Sequence, residues 1–277
     1  MKSIVVATDL SERSDRAVHR ALLLAAEHKA RLHVISIVDS ALPDDLARPL
    51  RVSVQERLPR QIDALNTGAA YDVTVKMGDI SQVLGEFIVE KEADLVVLGL
   101  HRPRTFLDSL RETTMERLVA SSTVPVLLVK DAADHAYDSA LSLVSYSPAC
   151  AVALESAHVL APEASLTALH ALYVPYAGLT GGDKDSEMAR AVLQEAEAAS
   201  AKWLKTVSVP QDAFETDIRT GGLRGVVHQA ISTDKPDLLA IGAHSRSGLF
   251  LHRIGGFAAE LVREPPTDLL IAPPIST

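Results

Sequence analysis

"GDISQVLGEFIVEKEADLVVLGLHR" (residues 78–102) and "GGLRGVVHQAISTDKPDLLAIGAHS" (residues 221–245) align without a gap. Gly78 falls on Gly221, Val83 on Val226, Asp94 on Asp237 and Gly99 on Gly242. The match extends upstream: "DLSERSDRAV" (9–18) follows the spacing of "SYSPACAVAL" (145–154), and "ARLHVISIV" (30–38) that of "ASLTALHAL" (164–172). A period of about half the chain marks a tandem duplication of a whole domain, since solenoid repeats are far shorter.

Each copy alternates strand and helix. In the first, the branched apolar runs Ile4 to Ala7, Leu32 to Val38, Leu95 to Leu98 and Val126 to Val129 read as buried parallel strands. Tyr71, Val73 and Val75 alternate with polar residues, which suggests a half-exposed edge strand. Helices are predicted near Ser14 to Lys29, Asp44 to Asn66, Gln82 to Lys91 and Thr114 to Ser121, and in the second copy near Lys184 to Thr206. Parallel strands need crossover connections, so the pattern predicts an α/β fold with two tandem open, doubly wound parallel sheets flanked by helices. "KDAADHAYDS" (130–139) is polar and aperiodic, which sets the expected domains at 1–131 and 139–277.

The composition excludes several classes. The formal net charge of −9 opposes the counterion replacement that nucleic-acid binding requires. The apolar run near the N-terminus is too short for a signal peptide or a membrane span, so a cytoplasmic protein without membrane attachment is expected. The single cysteine, Cys150, has no second sulfur for a disulfide or zinc knuckle and reads as a small buried residue at a helix start. His101 and His244 occupy equivalent repeat positions, but isolated histidines in separate domains read as structural, and no metal is expected.

The loops after Gly99 and Gly242 carry the functional question. A strand that ends at glycine and opens toward a helix presents backbone N–H groups to a crevice, the arrangement that seats phosphates. In "GLHRPRTFLDSLRET" (99–113) that seat is encumbered, because Thr113 with Glu116 spells a capping box and Glu112 adds a carboxylate to the same positive helix end. At about 4 Å and an effective dielectric near 20, one carboxylate opposes each unit of phosphate charge by about 4 kcal/mol. Asp108 and Glu112 also stand ready to neutralise Arg102 and Arg104. "GAHSRSGLFLHRIGG" (242–256) is the better anion site, with His244, Arg246, His252 and Arg253 and no acid among them, although a solvated basic loop is an equal reading.

With these residues in hand, each half resembles a universal stress protein domain: a first strand ending at an acid, a Ser-led helix, a "DLVVLG" strand, a glycine loop and a final "PVLLV" strand. The resemblance implies five-stranded sheets of the adenine nucleotide alpha hydrolase-like type and a phosphate loop of G-x-x-G, nine residues, then G and Ser or Thr. It places Asp9 near an adenosine, while the residues themselves equally allow Asp9 to be a turn residue. In the first half Gly99 remains, whereas Arg102 and Glu112 stand in place of the other glycines. In the second half Gly242 and Gly255 remain, with Ser245 at the second glycine, Gly256 at the hydroxyl position, and Ser145 where Asp9 stands in the first.

The candidate cofactor-binding residues are therefore Asp9, Gly99, Gly242, His244, Ser245, Arg246, Gly255 and Gly256, with ATP or AMP as the expected nucleotide. The leading expectation is a stress-responsive binding or regulatory module with degenerate nucleotide binding and an unidentified protein partner. ATP hydrolysis ranks lower because no P-loop, H-E-x-x-H or G-x-S-x-G stretch occurs. Binding of another small ligand in the crevice is the third reading. The apolar last strands (125–129 and 267–272) would leave exposed edges, so the halves are expected to pair through them about a pseudo-twofold, with association of two chains left open.

Overall fold

The computed structural model describes residues 1–65, 68–100, 114–174, 187–243 and 256–273. Ten strands occur among them, five from each repeat. The described part of Ala243–Pro273 packs with Met1–Ala136 as one unit, and Tyr137–Gly242 belong to a second.

The first unit is built from β1 (Ser3–Ala7), α1 (Glu12–His28), β2 (Arg31–Asp39), α2 (Asp44–Leu65), β3 (Tyr71–Gly78), α3 (Ile80–Glu90), β4 (Leu95–Gly99), α4 (Thr114–Ser121) and β5 (Val126–Val129). Its strands run β3-β2-β1-β4-β5, all parallel. The central strands are apolar on both faces because helices cover both, and β1 and β4 are buried along nearly their whole length. β3, the edge strand, is half-buried at most positions, as its alternation predicts. α2 continues through Pro49 and Pro59, since the apolar face of Ala47, Val54, Leu58 and Ile62 repays the lost backbone bonds.

The second repeat supplies β6 (Ser139–Leu143), α5 (Pro148–Leu160), β7 (Ser165–Leu172), α6 (Glu187–Leu204), β8 (Glu215–Thr220), α7 (Leu223–Asp234) and β9 (Leu238–Gly242). These strands run β9-β6-β7-β8, again parallel. Ser142 lies fully buried in β6 with no hydrogen-bond partner for its hydroxyl, at the repeat position where the first half has Val6.

α8 (Gly256–Arg263) and β10 (Asp268–Ala272) complete the first unit. β10 lies antiparallel to β5, with Leu269 opposite Leu128, Leu270 opposite Leu127 and Ile271 opposite Val126. Asp268 is buried and forms an ion pair with buried Arg20 at 3.4 Å. Its other oxygen accepts the amides of Lys130 (2.8 Å) and Asp131 (3.2 Å), while Arg20 donates to the His135 carbonyl at 2.7 Å. No helix among the described residues is long and apolar enough to cross a membrane.

Candidate functional site

In both units the chain reverses its winding beside the first strand. β1 lies between β2 and β4, and β6 between β7 and β9. A crevice therefore opens beyond the carboxyl ends of β1 and β4 in one unit, and of β6 and β9 in the other. Asp9 follows β1 and Gly99 ends β4, so the fold brings these two sequence-derived residues to the same sheet edge. Ser145 and Gly242 stand at the corresponding edge of the second unit.

The strand-to-helix turn is alike in both repeats. Leu10 and Tyr146 both adopt φ of 61°, the left-handed region that non-glycine residues seldom occupy. Such a conformation persists only when neighbours fix it. Around Leu10 they do: its amide donates to Thr8 Oγ1 at 3.1 Å, and the Ser11 amide donates to Asp9 Oδ1 at 3.0 Å. Ser11 then caps α1 by accepting the Ser14 amide.

Asp9 thus does what a turn residue does, while remaining exposed at the crevice mouth. Partial desolvation raises its pKa, but hydrogen bonds from the Ser11 side chain and amide and from Ser14 outweigh this and hold it below the ordinary carboxylate value. Asp15, one turn into α1, is shifted the other way, by desolvation first and then by repulsion from Asp9 and Glu12, with a Gln61 hydrogen bond opposing. A carboxyl-carbon NMR titration is therefore expected to show Asp9 protonating at lower pH than Asp15, and Asp9→Asn is expected to lower the Asp15 midpoint. In stability terms, the Asp9 contribution is present above its unfolded pKa and lost as pH falls through its folded pKa. The Asp15 contribution is present below its unfolded pKa and lost as pH rises through its folded value. Midpoints in the reverse order would refute this electrostatic picture.

Gly99 and Gly242 have a packing role that the motif does not reveal. A Cβ on Gly99 would lie 2.7 Å from the Arg13 carbonyl oxygen, and one on Gly242 would lie 2.6 Å from that of Ala149. Each glycine therefore lets the first turn of the crevice-lining helix, α1 or α5, sit directly against the strand end. Gly256 begins α8 with open space where a Cβ would stand. His244, Ser245, Arg246 and Gly255 lie outside the described residues, as do Arg102, Glu112 and Thr113. Glu116, the other half of the capping box read from sequence, is buried and forms an ion pair with Arg263 of α8 at 2.9 Å.

Where β6 and β7 end, the structure holds a cluster absent from the candidate residues. Tyr146 stacks on His170 with ring centroids 4.4 Å apart and planes inclined by 27°, and its ring centroid lies 5.8 Å from that of Trp203. Trp203 is buried, and its indole donates to the Ser147 carbonyl at 3.1 Å. His170 Nδ1 lies 2.9 Å from the Val144 carbonyl. Burial pushes the Tyr146 phenol above its ordinary pKa, with a Ser200 hydrogen bond opposing. Cys150 is buried in the first turn of α5, where the Ser145 amide and the Ser147 hydroxyl each donate to its sulfur at 3.3 Å. The available signals were the chain's single tryptophan and the exchange of Leu10 for Tyr146 between repeats.

Asp94 and Asp237, aligned in the opening stretch, serve the strands. Asp94 accepts the amides of Lys2 and Ser3, and Asp237 those of Asp138 and Ser139. Among the described residues no group of three or more His, Cys, Asp or Glu side chains is arranged to hold a metal ion.

Residues 1–130 and 136–273 each match the model of the Universal stress protein family. Universal stress protein A of Escherichia coli strain K12 is 29% identical over 110 residues, covering 36% of this chain and 76% of that protein. A homolog of it from Haemophilus influenzae is 32% identical over 111 residues, covering 36% of this chain and 78% of its own length. The crystal structure of a universal stress protein from Archaeoglobus fulgidus superposes with a TM-score of 0.68 at 16% identity, covering 98% of this chain and 96% of that one.

Proposed function

The chain belongs to the universal stress protein family as a tandem two-domain member, and from that premise we propose that it is a cytoplasmic, stress-responsive binding and regulatory module whose two halves have each given up part of a nucleotide site. The first half keeps the acid, Asp9, at the switch point of its sheet. The second keeps the phosphate side, with Gly242, Ser245, Gly255 and Gly256 accompanied by His244 and Arg246.

The observation that carries this reading is the Tyr146–His170–Trp203 cluster. These side chains place aromatic surface at the carboxyl edge of the second sheet, on the side where β6 and β7 end. The rings are packed on one another, and the indole is held by the Ser147 carbonyl, so they fill contact area that an adenine would otherwise use, and in this reading the base end is what the second half has lost. ATP or AMP is the ligand class, bound weakly, with an unidentified protein as the downstream partner.

The test joins two measurements on the full chain. Mass spectrometry of small molecules released on denaturation shows whether a nucleotide or another ligand accompanies the purified protein. Thermal unfolding with added ATP or AMP is expected to show a small stabilisation that Gly255→Val/Gly256→Val abolishes and Asp9→Ala preserves. Loss in Asp9→Ala with retention in the glycine variant would move the site to the first half. Phosphate release accompanying stabilisation would favour hydrolysis over binding.

A further inference from the structure

We propose that one exposed flank of α2 is a docking seam for a single acidic amphipathic helix of a partner protein. This names the kind of partner that the reading above leaves unidentified, and its test uses no nucleotide, so either can fail alone. The seam follows from spacing. Leu46, Leu50, Ser53, Arg57 and Arg60 are separated by four, three, four and three residues, the repeat that draws one narrow line along a helix. The buried residues of α2, Ala47, Val54, Leu58 and Ile62, lie on a different face. Leu46 is 58% exposed and Leu50 is 45% exposed, and Leu42, four residues before Leu46, is exposed just ahead of the helix. Burying such apolar area is the driving force that a partner would use.

Charge selects the occupant. Arg57 and Arg60 are exposed, and neither forms an ion pair or hydrogen bond among the described residues. Arg48, off this line, is already paired with Asp44 at 3.0 Å. Asp15 of α1 approaches α2 on this side and is engaged there by Gln61 at 2.5 Å. The seam is therefore apolar toward the start of α2 and cationic toward its end, in a chain whose formal net charge is −9. Leucines one turn apart call for apolar side chains, and free guanidiniums call for carboxylates. At 1.5 Å per residue the seam is about 21 Å long, which matches a partner helix of about fifteen residues.

An anionic bilayer fits less well. Asp45, Glu56 and Asp63, eleven and seven residues apart, form a second line about a quarter of the way round the helix from the seam. A flat anionic surface that covers the seam meets those carboxylates too, whereas a helix about 10 Å across does not. The second repeat has no such seam. Met188 and Leu193 of α6 are exposed, but five residues apart they point to different sides, and the exposed Glu195 and Glu197 among them are acidic. The seam is thus particular to the first repeat and is not a demand of the shared fold.

Fluorescence anisotropy on the full chain, without nucleotide, tests this with two labelled synthetic helices of about fifteen residues. Both carry leucines at alternating spacings of three and four through one half. Through the other half, one carries glutamates at those spacings and the other lysines. The glutamate helix is expected to bind weakly, because the interface is small, and less tightly as salt rises. Leu46→Gln/Leu50→Gln and Arg57→Glu/Arg60→Glu are each expected to weaken that binding at least about tenfold, the ratio that corresponds to about 1.4 kcal/mol. Their thermal midpoints should stay near the parent's, since all four side chains are exposed. The arginine variant is further expected to prefer the lysine helix. No binding of the glutamate helix to the parent, equal binding of the lysine helix, or unchanged binding in either variant overturns the proposal. Sedimentation of the parent with phosphatidylserine vesicles that the arginine variant loses would assign the seam to a membrane and overturn it too. A parent dimer that the variants dissociate would assign the seam to a second copy, with the same consequence. If the leucine variant does not accumulate as folded protein, the reversed preference of the arginine variant decides, and its absence overturns the proposal.

Discussion

Asp268→Ala is expected to cost the first unit about 3–5 kcal/mol, the range for breaking a buried ion pair by removing one partner. Asp268 is 1% exposed and Arg20 is 4% exposed, so neither charge recovers hydration when the other is removed. The same carboxylate holds the Lys130 and Asp131 amides at the end of β5, and these would lose their acceptor together with the guanidinium. Asp268→Asn should cost less, because an amide oxygen still serves the backbone donors while the charge is lost. The double variant Arg20→Leu/Asp268→Leu should recover much of the deficit, since replacing both partners by apolar groups removes the stranded charge. Denaturant unfolding monitored in the first unit checks the series. A loss below about 1 kcal/mol in Asp268→Ala would show that water reaches the pair and that it anchors nothing.

The fold was legible because its signals are local and repeated. Runs such as Leu95 to Leu98 and Val126 to Val129 can be satisfied only by a sheet covered on both faces, and the helices between them carry their own period. The duplicated pattern then doubles every such signal. What escaped is what depends on distant partners. Arg20 sits among the apolar residues of α1, and nothing near it in sequence announces Asp268. Glu116 completes a capping-box spacing, and nothing near it in sequence announces its ion pair with Arg263. Gly99 and Gly242 read as a phosphate seat, and the close approach of Arg13 and Ala149 supplies a second reason for glycine that a motif cannot distinguish from the first. Asp9 illustrates the same limit, because one carboxylate at a helix entrance fits the spacing of a turn residue and of a crevice residue alike, and the Ser11 amide that it accepts accounts for the turn alone.

Trp203→Ala carries the second large effect, about 3–5 kcal/mol of destabilisation, as expected when a buried tryptophan is truncated. The indole is 4% exposed, donates to the Ser147 carbonyl at the start of α5, and packs near Tyr146. Its removal therefore unpins the turn whose left-handed residue is Tyr146. In the reading that these rings take the place of a base, the lost stability has a functional counterpart, because room for the base is regained. The thermal midpoint of Trp203→Ala should then rise further on addition of ATP than that of the parent. Binding to the folded state stabilises by RT ln(1 + [L]/Kd), about 2.7 kcal/mol at a hundredfold excess over Kd. Tyr146→Leu, which installs the residue of the first repeat, should give the same gain with a smaller loss of stability. Trp203→Phe should keep most of the packing, lose the bond to Ser147, and gain little ATP response. An ATP response equal to the parent's in all three variants would mean that the cluster is packing alone, and the reading of a self-filled crevice would fall with it.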